Sequence, residues 1–245
     1  MNKYTKYASI IFASMALIYS GVAYAETNSK PLKAKTEMKD EVKEAKASIF
    51  ETVRENKIEF RKDMNTKMTE MKAKIATQKE ELKKNLAKIK DEKKRATVEG
   101  VNSKIQDLNT KATDEFSGTV ARIETILVNI ESRINASGLN SAEVSAVTAN
   151  NEKALKTIID TKSAIVAQAG KVYTINITGE KTLRSDVQKT RDELNKDLKA
   201  LNDKVKMARD AVKVSSDMIA KIPGINSDYH SNQQVEGGAT KSTNY

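Results

Sequence analysis

Four acids, Glu51, Glu55, Glu59 and Asp63, recur every four residues and so line one face of any helix that contains them. Carboxylates stacked this way are the hard-oxygen chemistry that holds Ca2+ or Mg2+. Arg54, Lys62 and Lys67 stand three or four residues from these acids, within pairing reach on the same helix. The expected state is therefore a solvated, charge-paired face rather than a metal site. The chain has no Cys and a single His, His230, so a zinc centre lacks ligands. Nucleophile motifs and glycine-rich phosphate loops are absent from the sequence. The expectation is a protein with no catalytic residues and no cofactor.

The second group with chemical potential is a run of cations, Lys83, Lys84, Lys88, Lys90, Lys93, Lys94 and Arg95. Net charge is +10, and residues 30 to 95 hold 21 Lys and Arg against 13 Asp and Glu, whereas the rest of the chain is close to balance. A charge gathered at one end suits an acidic partner or surface. Nucleic acid is the weaker reading of that partner, because recognition surfaces interleave aromatics or arginines with the basic residues and this segment has few of either.

Long helices must position these groups. Two prolines, 4% aromatic residues and 31% charged residues point to an extended all-α chain. The first residues, MNKYTKYASIIFASMALIYSGVAYAETNSK, place lysines before an apolar run that ends at Ala23-Tyr24-Ala25. That pattern is a signal peptide over 1–25, which predicts export to the periplasm, the cell surface or the medium. The apolar run is short for a bilayer span of ~20 residues.

From Leu32 to about Ala136 there is no proline, and one long helix is expected. Its apolar residues repeat every eleven: Met38, Ile49, Phe60, Met71 and Leu82 form one row, and Val42, Val53, Met64, Ile75 and Leu86 the other. Eleven residues in three turns keep such a stripe nearly parallel to the helix axis. The third row, Ala45, Asn56, Lys67, Gln78 and Ile89, is mostly polar, so the stripe reads as a seam about 80° wide at 100° per residue. A seam that narrow suits a partner helix, from a second copy or another protein, better than lipid. Over residues 38 to 86 the eleven-residue period is similar to that of the synuclein and exchangeable apolipoprotein families, which implies an anionic membrane surface as the alternative partner. In outline the chain also resembles periplasmic holdase chaperones with basic helical arms, which implies unfolded clients.

The repeat stops near Lys93 and Thr97, and Val101, Ile105, Leu108, Ala112, Phe116, Val120, Ile123, Leu127, Ile130 and Ile134 follow at steps of three and four after a phase shift. A continuous helix is favoured there; the alternative is a turn with Gly100 as cap and Ser103-x-x-Gln106 as capping box. Gly138 and the Asn140/Glu143 pair predict a break, followed by a helix over 141–169. KVYTINIT, residues 171–178, reads as a connector; the alternatives are a strand that needs an outside partner and a helix that continues through it. A helix over 180–222 follows, with Leu194, Leu198, Leu201, Val205, Ala208, Val212, Ile219 and Ile222 as its seam, and Pro223 ends it.

The predicted organisation is thus a basic helical arm over 26–99 protruding from a three-helix antiparallel coiled-coil bundle over 100–222, with a disordered tail over 223–245. Such a protein self-associates or binds a partner through its arm.

Overall fold

The computed structural model describes residues 31–137, 142–223 and 225, with side chains from residue 49 onward. The segment expected to be a signal peptide, the break expected at Gly138, the tail beyond residue 225 and the side chains of Met38 and Val42 lie outside the described residues. Among the described residues four helices follow one another: α1, Pro31–Leu86; α2, Glu92–Ser137; α3, Ala142–Ala169; and α4, Leu183–Ile219. Among the described residues there is no strand.

The first helix does not run on through Gly100. It stops at Leu86, and α2 starts six residues later and returns along it. The turn is built by Ile89, whose N–H donates to Leu86 O at 2.9 Å and whose side chain is buried beside Leu82, Leu86 and Val98. Asp91 then caps α2, accepting the Lys94 N–H on Oδ1 at 3.1 Å. Gly100 sits within α2 with open space around it, and Gln106 serves no cap.

Burial decides the fold-back. Ile49, Val53, Phe60, Met64, Met71, Leu82 and Leu86 are all buried once α1 lies on the rest of the chain. At ~1.5–3 kcal/mol per side chain, seven of them contribute roughly 10–20 kcal/mol. A broken turn of helix forfeits only about four backbone hydrogen bonds, at ~0.5–1.5 kcal/mol net each.

The molecule is therefore a bundle in which α2 and α3 lie between two outer helices, with α4 packed on both and α1 packed on α3 and, less extensively, on α2. The expected free arm is instead a fourth layer. Polar residues of its third row are buried too: Asn56 is fully enclosed and Gln78 nearly so. The stripe is wider than its apolar members suggest, because α1 rests on two helices rather than one.

The same effect explains the phase shift expected in α2. The buried positions run Val98, Asn102, Ile105, Asn109, Thr113, then Val120, Ile123, Leu127, Ile130 and Ile134, with Phe116 half-buried in register between them. This is an unbroken series of three- and four-residue steps, in which three members are polar. Leu108, expected in the seam, is 56% exposed.

Helix α3 has α1, α2 and α4 as neighbours, so polar residues are enclosed around it as well as the expected Val144, Val147, Ala154, Leu155, Ile158, Ile165 and Val166. Helix α4 buries Leu194, Leu201, Val205, Ala208, Val212 and Ile219, and two further turn-type bonds, Lys221 N–H to Met218 O and Ile222 N–H to Ile219 O, carry the chain on to a buried Ile222.

Candidate functional site

Three polar features could carry function: a buried amide network around residues 171–178, a buried ion pair, and the basic end of the α1–α2 hairpin.

Residues 171–178 form the connector that joins α3 to α4 along the inside of the bundle. Tyr173 and Ile175 are buried and Ile177 is half-buried, while Thr174, Asn176 and Thr178 are exposed. This period of two marks extended backbone. Lys171 O accepts from Asn109 Nδ2 at 3.3 Å, and Glu180 pairs with Lys94 at 3.0 Å. The chain thus travels past fifteen residues of α2, about 22 Å of helix, in nine of its own. Extended backbone inside a protein needs partners that a helix would supply internally. Here side-chain amides supply them. Tyr173 O accepts from Gln78 Nε2 at 2.8 Å and from Gln106 Nε2 at 2.7 Å, and the Tyr173 N–H donates to Gln106 Oε1 at 3.5 Å. Thr174 O accepts from the Thr190 hydroxyl at 3.2 Å, and the Thr178 N–H donates to Asp186 Oδ2 at 3.0 Å.

The Tyr173 hydroxyl donates to Asp197 Oδ2 and accepts from Gln168 Nε2, at 2.7 and 2.6 Å. Burial and the Asp197 carboxylate push the tyrosine far above its ordinary range. It is therefore a fixed donor rather than a proton shuttle.

The second feature joins Lys162 of α3 to Glu124 of α2, both almost fully buried, with the ammonium 5.4 Å from the centre of the Phe60 ring. Burial lowers the lysine pKa, with the Glu124 carboxylate opposing that effect. A pair enclosed among three helices has no access for a substrate, so it acts on folding.

The basic end is open. The turn at 87–91 brings together all seven cations named from the sequence and divides them by role. Lys83 pairs with Glu80 at 3.4 Å, and Lys94 with Glu180 at 3.0 Å and Asp91 at 3.8 Å. Hydrogen bonding to Glu180 holds the Lys94 ammonium above its usual pKa and holds Glu180 below the usual carboxylate range. Arg95 is half-buried and donates from Nη1 to Ile89 O at 2.9 Å, so it braces the turn. Lys84, Lys88, Lys90 and Lys93 are exposed and, among the described residues, have no carboxylate within 4.0 Å. Ammonium groups outside any ion pair are what these four offer a partner.

The seam residues are placed otherwise. Ile49, Val53, Phe60 and Met64 are buried in the main core shared with the other three helices, Leu82 and Leu86 pack in a second cluster with Val98 and Ile105 of α2 and Tyr173 and Ile175 of the connector, and Ile75 is half-buried at a groove of about 390 Å³ between α1 and α2, lined also by Met71, Leu82, Asn102 and Gln106. Of the acid ladder, Glu51 lies 3.9 Å from Arg54, and among the described residues no group of three or more acids, His or Cys could hold a metal ion. Among those residues, no helix is long and apolar enough to cross a membrane.

Sequence reasoning missed the amide network, because the bonds from Gln78, Gln106 and Asn109 to the 168–174 segment join residues 59 to 96 apart in the chain. The usable signal was the helical register itself: Asn102, Asn109 and Thr113 in α2 and Gln78 in α1 occupy positions that periodicity assigns to the core. Comparison with known protein families, with curated proteins and with solved structures finds no match to this chain.

Proposed function

We propose that the protein is an exported, non-enzymatic helical interaction protein that presents its hairpin end to an anionic membrane surface. Export rests on the N-terminal sequence, with its lysines, apolar run and Ala23-Tyr24-Ala25. The observation that carries the docking mode is the cluster of Lys84, Lys88, Lys90 and Lys93, gathered by the turn at 87–91, exposed, and in no ion pair within 4.0 Å among the described residues. Lysines near anionic lipid contribute roughly 1 kcal/mol each. The stripe of α1 takes no part in this contact, since α2 and α3 cover it; adsorption is electrostatic and superficial.

Insertion of the stripe into lipid would require α1 to leave the bundle. A holdase activity would need an uncovered apolar surface for clients, and the same burial weighs against that reading. The test is co-sedimentation with vesicles containing anionic lipid. Binding at low salt that fades by about 0.5 M salt, as screening shortens to a few ångströms, and that is lost when the four lysines become glutamates, supports the proposal. Absence of binding at low salt, or binding unaffected by the four substitutions, overturns it.

A further inference from the structure

A different set of observations concerns α1 as a whole. We propose that the protein forms a domain-swapped dimer, in which the turn at 87–91 straightens and α1 packs on α2 and α3 of a second copy.

The turn has the sequence AKIKD, with neither glycine nor proline. Ala, Lys and Ile are compatible with helix, and the turn is held by few contacts: buried Ile89, the Arg95 bond to its carbonyl and the Asp91 cap. Straightening it makes one helix of residues 31–137. Ile89 lies in the eleven-residue register of Asn56, Lys67 and Gln78, so the helical register of α1 reaches into the hinge. Sequence alone favours that continuous helix; only the fold-back onto the same chain opposes it.

The partner is a second copy because the surface α1 covers is already complementary to α1. Exchange of an identical element creates the same contacts between chains as within one, and needs no new interface. Helix α4 packs on α2 and α3 without the help of α1, so three helices remain assembled when α1 departs. The α1 layer is also the least well satisfied. Both amide atoms of Asn56, Gln78 Oε1 and Glu59 Oε2 are buried without a hydrogen bond, as is Asn102 Oδ1 in the groove beneath α1. Each such group lowers the cost of opening.

The chain has no Cys, which makes disulfide trapping clean. A Cβ built on Gly170 would lie 3.7 Å from Lys67 Cβ, within the ~3.5–4.5 Å that a disulfide spans. The double variant Lys67→Cys/Gly170→Cys, oxidised when dilute, is expected to close within one chain. The two single variants are then mixed at high concentration and high salt, which screens the lysines of the two hinges, and oxidised. The expected product is a covalent dimer in which 67–170 linkage exceeds 67–67 and 170–170 linkage, read by mass spectrometry. The further change Lys88→Gly/Lys90→Gly, which disfavours a straight helix, should lower its yield by roughly fivefold or more. A mixture in which 67–170 linkage is absent or no more frequent than the symmetric links overturns the proposal, as does a yield indifferent to the two glycines.

Discussion

Gln106 and Tyr173 are paired as residues of neighbouring strands are paired. The carboxamide of Gln106 donates to the Tyr173 carbonyl at 2.7 Å and receives the Tyr173 N–H at 3.5 Å, so one side chain on a helix plays the part of a strand's backbone. This pairing is what allows an extended segment to run among helices without a sheet.

Removing that partner exposes the dependence. Gln106→Ala leaves the Tyr173 N–H buried and unpaired, while the carbonyl keeps Gln78. The expected loss is ~1–3 kcal/mol in urea unfolding. A variant as stable as the parent would show that the pairing contributes nothing.

Tyr173→Phe tests the other end of the network, and its effect should depend on pH. Burial raises the Asp197 pKa, but the Lys171 ammonium and the Tyr173 hydroxyl outweigh it and hold the carboxyl below the ordinary aspartate value of 3.8. A depressed carboxylate stabilises the fold above that value and loses its contribution as pH falls through the folded pKa. The variant is expected to lose ~1–2 kcal/mol at pH 7 and to approach the parent at lower pH. Denaturation curves at pH 7 and pH 3 measure the convergence; parallel losses at both would refute this account.

Asn56 is enclosed with both amide atoms unpaired, between buried Val53 and Phe60 on the covered side of α1. Asn56→Leu should raise stability by ~1–3 kcal/mol, because an unmet desolvation cost is replaced by apolar contact of similar volume. Thermal unfolding gives the answer, and a lower midpoint would contradict the packing of α1 described above.

For Lys162 and Glu124 the informative comparison is one substitution against two. Lys162→Met strands a carboxylate beneath Phe60 and should cost ~3–5 kcal/mol, whereas adding Glu124→Leu should recover most of it. A double variant no better than the single would mean that the pair stabilises the fold as a pair.

Glu152 is buried with Oε2 unpaired, and burial raises its pKa above the ordinary value of 4.5. Below that value the acid is protonated in both states and nothing is lost; the penalty appears as pH climbs through the folded pKa. Glu152→Gln should therefore melt higher than the parent at pH 8 and together with it at pH 4. Melting curves at the two pH values decide the matter.

The long apolar periods of α3 and α4 were legible in the sequence, and their predicted bounds lie within three residues of those observed. Periodicity read from apolar residues alone went astray where amides hold core positions. The α2 seam was expected on Val101, Leu108 and Ala112 where Asn102, Asn109 and Thr113 hold the buried positions, and Asn56 and Gln78 made the α1 stripe look narrow. Asn109 and Gln78 reach distant backbone, and no local pattern announces a partner 59 to 95 residues away. The fold-back of α1 was hidden for a related reason: AKIKD has helix-compatible residues, and tertiary burial of the α1 stripe and of Ile89 bends it. The basic end needed no such contacts to be recognised, because charge composition is local.

The drawn-out passage from Lys171 to Thr178 also has a mechanical meaning. A helix pulled along its axis can lengthen from about 1.5 to about 3.3 Å per residue. Backbone that is already largely extended has less slack to give than a helix, so this stretch behaves as the stiffer tether between α3 and α4. Load applied across the bundle would be transmitted through it to the amides of Gln78 and Gln106, and the helices would uncoil before the tether stretched.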